Sequence, residues 1–65
     1  MFDIGKTIQV KVKMKKIISI YKGIVVGRNG ENYQIKIQDA DDNVPLAVKS
    51  LSKEYIENNF EVVGE

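Results

Sequence analysis

From Thr7 to Lys15 every second residue is apolar: Ile8, Val10, Val12 and Met14 share one side, and Gln9, Lys11, Lys13 and Lys15 share the other. A helix scatters such a pattern around its circumference, because its side chains repeat every 3.6 residues. A strand sorts it onto two faces, because its side chains repeat every two. The segment therefore reads as a strand with one dry face and one wet face.

The run from Ile17 to Gly27 is nearly continuous in apolar residues and leads to Asn29-Gly30. Asn-Gly between two such runs predicts a hairpin, since both positions of a tight primed turn need positive φ. With Asn29-Gly30 as the loop, Arg28 faces Glu31, Val26 faces Tyr33, Ile24 faces Ile35 and Lys22 faces Ile37. In that register Ile18, Ile20, Ile24 and Val26 point inward with Tyr33, Ile35 and Ile37. Tyr21 and Val25 then point outward, beside Gln34, Lys36 and Gln38. Lys22-Gly23 interrupts the apolar run and predicts a bulge or sharp bend, as glycine inside a strand often does. Nothing between Met14 and Ile17 marks a turn. The Lys15-Lys16 connection is left as either a tight turn or one long bent strand.

Asp39 to Asn43 forms a polar loop, and a short strand is expected from Val44 to Val48, with Pro45 confining it to an edge. Ser52 then opens a short helix as N-cap, with Leu51 placed to pack on Ile56. Asn58-Asn59 suits the helix stop, because asparagine tolerates the left-handed conformation. Phe60 and Val62 belong to a last short strand. The whole of residues 1–65 reads as one small, mostly β domain.

That strand order resembles the small Src-homology-3-like barrel found in KOW and Tudor domains. The residues carrying the likeness are Phe2-Asp3-Ile4-Gly5-Lys6, Gly23-Ile24-Val25-Val26, and Tyr33-Gln34-Ile35-Lys36-Ile37 followed by Asp39. The resemblance implies a five-stranded barrel with one short helical segment near the C-terminus. It does not carry the ligands of those families over. A Tudor-type cage needs several aromatic walls around a cation, and a proline-rich-peptide groove needs aromatic walls with tryptophan prominent. Tyr21, Tyr33, Tyr55 and two phenylalanines are the only aromatics, and there is no tryptophan.

A chain of 65 residues commits nearly all its apolar side chains to one core; domains of about 60 residues bury only about 60% of their unfolded surface. Little interior remains for a deep pocket. Cysteine and histidine are absent, which removes disulfides, zinc sites of the Cys/His kind and the commonest nucleophile–base pairs. Asp39-x-Asp41-x-Asn43 opens like a calcium loop, but Val44 and Ser50 stand where an EF-hand requires glycine and a bidentate glutamate. The glycines are not followed by the Lys-Ser/Thr of a phosphate-binding loop. No enzymatic activity, metal or cofactor is expected. No apolar run reaches the roughly 20 residues that cross a bilayer, and the N-terminus lacks the features of a signal peptide, so the expected location is the cytoplasm, away from membranes. The richness in Lys, Ile and Asn suits an AT-rich bacterial or phage genome.

What remains is surface. Residues 1–38 hold eight Lys/Arg against Asp3 and Glu31, whereas residues 39–65 hold Lys49 and Lys53 against seven acids. Two candidate faces follow. The first is a protein-binding patch of Tyr21, Val25, Gln34 and Lys36 on the outer face of the hairpin, or else a sheet edge. The second is a nucleic-acid face of Lys11, Lys13, Lys15, Lys16, Tyr21 and Arg28, in which alternate lysines about 7 Å apart meet successive phosphates while Tyr21 stacks a base. An ordinary wetted strand face, or lysines guarding an edge, accounts for the same row. The leading expectation is a non-catalytic interaction module with a protein partner; nucleic-acid binding is the alternative. The chain is expected to be a monomer or a weak homo-oligomer, the latter through its basic strand and acidic segments.

Overall fold

The alternation of Ile8 and Val10 is realised in strand β1, Thr7–Val10, where both are buried and Gln9 is exposed. The computed structural model describes residues 2–11 and 19–63, so the expected inward positions Val12, Met14 and Ile18 and the Lys15-Lys16 connection lie outside the described residues. The remaining elements are β2 (Ile20–Asn29), β3 (Asn32–Ala40), β4 (Val48–Ser52), α1 (Lys53–Asn59) and β5 (Phe60–Val63). Among the described residues the strands form one antiparallel sheet in the order β4-β3-β2-β1-β5. The fold is mostly β; the described residues form five strands and one short helix, and among them the sheet is open between β4 and β5.

The N-terminal segment sets the register of the sheet. Lys6 N–H donates to Asp3 O at 3.3 Å, closing a turn in which Gly5 takes φ 98°, the positive value that a type II turn requires at its third residue. Gly5 N–H then donates to Val25 O at 2.7 Å, and Val25 N–H donates to Lys6 O at 2.9 Å. Two residues thus oppose one, with the glycine first, which is the G1 form of a β-bulge.

The hairpin differs from the expected one. Its loop is Gly30-Glu31, with Asn29 opposite Asn32 and Gly30 at φ 61°. Beyond Arg28↔Tyr33 and Gly27↔Gln34 the register shifts, so that Val25 faces Ile35 and Gly23 faces Ile37. Val26 is the extra residue. It stands 42% exposed, while Val25 is fully buried. The inward assignment of Ile24 and Val26, and the outward one of Val25, are therefore corrected. The bulge expected at Lys22-Gly23 is present as two register shifts between Ile20 and Gly23. An added residue swaps the faces, so across this bulge Ile20 and Val25 can both be inward despite opposite parity.

Gly23 permits close approach of the strands at this point. A Cβ there would lie 2.6 Å from Ile35 Cγ2 and 2.9 Å from the Lys36 carbonyl oxygen. Tyr33, Ile35 and Ile37 are buried as expected, and Ile8, Val10, Ile20, Val25, Ile56 and Phe60 complete the core.

The strand expected at Val44–Val48 is corrected to β4, Val48–Ser52. Residues 41–47 are loop, turned by Val44 N–H to Asp41 O at 3.0 Å, and Pro45 lies in that loop. Pairing with β3 begins only where Ile37 N–H reaches Ala47 O at 3.0 Å. Ser52 caps α1 as expected, its hydroxyl accepting from Tyr55 N–H at 3.1 Å, and Glu54 places negative charge in the first turn, at the positive end of the helix dipole. At the other end Asn59 remains helical and donates from Nδ2 to Tyr55 O at 2.8 Å, and Phe60 passes directly into extended backbone.

One buried polar side chain ties these parts together. Tyr33 accepts from Phe2 N–H at 2.8 Å, donates to Glu57 Oε2 at 2.5 Å, and stacks on the Phe2 ring at 5.9 Å. Burial, followed by the Glu57 contact, raises the Tyr33 pKa. The Tyr33 hydroxyl holds the Glu57 carboxyl below its ordinary 4.5.

Tyr33→Phe should lower stability by about 1–2 kcal/mol, the value of its lost hydrogen bonds, in urea unfolding. Because the folded Glu57 value is depressed, its contribution is present above 4.5 and lost as pH falls through the folded value; Tyr33→Phe and Glu57→Gln should therefore both flatten the acid limb. Gly23→Ala, pressed against a backbone carbonyl, should cost about 1–3 kcal/mol. Gly27→Ala meets only the movable Gln34 side chain and should stay within about 1 kcal/mol of the parent. Equal costs for the two alanine variants would contradict the close approach at Gly23.

Candidate functional site

The sheet register places the candidate residues, because residues paired across antiparallel strands point to the same side. On the side away from the core, Glu61, Gln9, Lys22 and Asp39 form one cross-strand row. Val63, Thr7, Ile24, Lys36 and Val48 form the next. An open groove of about 380 Å³ lies beside the first row, lined by Gln9, Val10, Lys11, Tyr21, Lys22 and Asp39.

Of the expected nucleic-acid residues, Lys11 and Tyr21 come together in this groove, with Lys22 added. Lys13, Lys15 and Lys16 lie outside the described residues. Arg28 is exposed near the hairpin tip, six positions along β2 from Lys22 and so about 20 Å away. Asp39 shares the groove, and Asp41 accepts from the Tyr21 hydroxyl at 2.5 Å. That hydrogen bond is the first cause of a raised Tyr21 pKa, with the charges of Asp41 and Asp39 adding to it. Tyr21 is half-buried against the core and ties the β2 bulge to the loop after β3.

The expected protein-binding patch divides. Val25 belongs to the core. Gln34 is half-buried against Gly27, opposite Ser50, whereas Lys36 is exposed between Ile24 and Val48.

The sheet edge is the better-defined surface. Ile37 N–H bonds Ala47 O, and Lys53 N–H bonds Glu31 O at 2.8 Å, in one continuous register with β4. Antiparallel hydrogen bonds involve alternate residues. Lys49 and Leu51 therefore direct their backbone groups at β3, while Val48 and Ser50 direct theirs to the open side. This edge also carries exposed apolar side chains, Leu46 at 61% and Val48 at 56%. The same reasoning applies to β5: Lys11 N–H reaches Asn59 O at 2.8 Å in register with the β1–β5 pairs. Val62 thus turns its backbone outward, as does the Phe60 carbonyl, while Phe60 N–H is held by Ile56 O.

Sequence reasoning anticipated an edge strand here but placed it four residues too early. Pro45 was the available signal, since a residue without an N–H starts a ladder poorly. Among the described residues there is no group of three or more metal-ligating side chains, no buried charged side chain, and no helix long and apolar enough to cross a membrane. Comparison with known proteins finds no matching family model, no matching curated protein and no matching solved structure.

The backbone alternation in β4 is open to a direct check. Ser50→Pro, which removes an outward N–H, should stay within about 1 kcal/mol of the parent, because edge positions facing solvent accept proline. Lys49→Pro removes a ladder donor and should cost at least about 1–3 kcal/mol. Thermal unfolding followed by circular dichroism separates them, and the reverse order of costs would overturn the assignment.

Proposed function

We propose that this chain is a non-catalytic interaction module that binds a protein partner by accepting an extended segment along β4. The observation carrying this reading is the open β4 edge. Val48 and Ser50 turn their peptide groups away from β3, and Leu46 and Val48 add exposed apolar surface beside them. Strand addition draws affinity from such main-chain groups and specificity from the side chains flanking them. An unprotected edge of this kind is otherwise a hazard for aggregation, which makes regular occupancy a coherent use for it. The strand order and the helix between β4 and β5 are compatible with a small Src-homology-3-like barrel, which the N-terminal and hairpin motifs resemble.

A second reading, nucleic-acid binding, is favoured by one observation: Lys11, Lys22 and Tyr21 line the same groove. Asp39 and Asp41 beside them weigh against a polyanion, and Arg28 is too distant to extend the site.

Two measurements test the choice. The wild-type chain should capture a protein partner from a cell extract, and folded Ser50→Pro should fail to do so; capture unchanged by Ser50→Pro would remove the edge reading. Titration with labelled single- and double-stranded nucleic acid at about 50 mM salt should show no binding. Tight, salt-sensitive binding lost in Lys11→Glu/Lys22→Glu would establish the second reading instead.

A further inference from the structure

Among the described residues the sheet has two open edges, β4 and β5, and they are complementary to one another. β4 contains Val48-Lys49-Ser50 and β5 contains Phe60-Glu61-Val62, and each strand carries one charged residue, of opposite sign. Neither Lys49 nor Glu61 has an ion-pair partner among the described residues. Both are exposed, as are Val48 and Val62, the latter at 41%.

From this we infer that the partner of the β4 edge is the β5 edge of a second copy of the same chain. The inference rests on the strand-addition reading above and names its occupant. Antiparallel pairing with Lys49 opposite Glu61 places Val48 opposite Val62 and Ser50 opposite Phe60. The backbone parities agree in this register. Val48 and Ser50 face outward on one edge, and Val62 and the Phe60 carbonyl face outward on the other. Val48 and Val62 exchange two hydrogen bonds, and Ser50 N–H donates to Phe60 O. Lys49 and Glu61 then form the non-hydrogen-bonded pair, in which opposed side chains stand closer, at a Cα separation of about 4.5 Å. Val48 and Val62 meet on the other face as a β-branched pair. Opposite charges and apolar pairs across strands are each favourable, and like charges are not.

The register also disfavours β4 pairing with its own copy about Lys49, because that arrangement sets Lys49 against Lys49. Pairing β4 with β5 uses two different surfaces, so the contact is heterologous. The pair retains one free β4 and one free β5, and assembly continues head to tail until a ring closes or a chain extends. The antiparallel sense inverts each copy relative to its neighbour.

Sedimentation equilibrium on the full chain tests this. The wild type should show a mass above the monomer that rises with concentration and falls with salt, since exposed charge pairs are screened. Lys49→Glu and Glu61→Lys should each weaken association about three- to tenfold, and Lys49→Glu/Glu61→Lys should restore it. Circular dichroism checks that each variant is folded, and Ser50→Pro should abolish association without altering the charges. A wild type that is monomeric at every concentration, or a double variant that stays dissociated, overturns the inference. If that monomer still captures a different protein in a manner lost with Ser50→Pro, the second copy is excluded as partner and strand addition stands. Association unchanged by Ser50→Pro overturns both.

Discussion

Val25 occupies the point at which three strands are brought into register. Its peptide group is held by Gly5 N–H and Lys6 O on one side, while across from it on the other strand stands Ile35. An extra residue in the first segment opposite Val25, and another in β2 at Val26, allow this valine to be core on both counts. Sliding either contact by one residue would send alternate side chains to the wrong face. The close approach at Gly23 and the burial of Ile35 and Ile37 follow from the same register.

Around that register the ends of the chain are secured by Tyr33. A 65-residue chain has little apolar surface to spare, and its N-terminal segment and short helix cannot each have a core of their own. One buried hydroxyl serves both, accepting from Phe2 and donating to Glu57. Buried polar groups with partners are tolerated, and those without are costly, so the fully buried tyrosine specifies where Phe2 and α1 must sit. The helix in turn fixes where β4 ends and β5 begins.

The proposed contact surface is a consequence of where pairing stops. Exposed backbone flanked by a lysine, a glutamate and a few apolar side chains is the kind of surface that strand addition uses. The acidic residues beside Tyr21 weigh against the groove between β1 and β3 as a site for polyanions. The edges have no such conflict, and their charges are opposite in sign.

The alternation of Ile8 with Gln9, of Tyr33, Ile35 and Ile37 with their polar neighbours, and the Ser52 cap were legible because each depends on residues adjacent in the chain. The bulge at Lys22-Gly23 was legible for the same reason, as a glycine and a lysine interrupting an apolar run. Its consequence for Val25 was not, since the face a residue takes after a bulge depends on which partner residues absorb the shift. The Gly30-Glu31 loop, the late start of β4 and the bond from Tyr33 to Glu57 were likewise decided in three dimensions. Local pattern determined that this chain forms strands, a hairpin and one capped helical segment. Only the tertiary structure decided which valine is core and which edge is open, because register is settled by packing between residues distant in sequence.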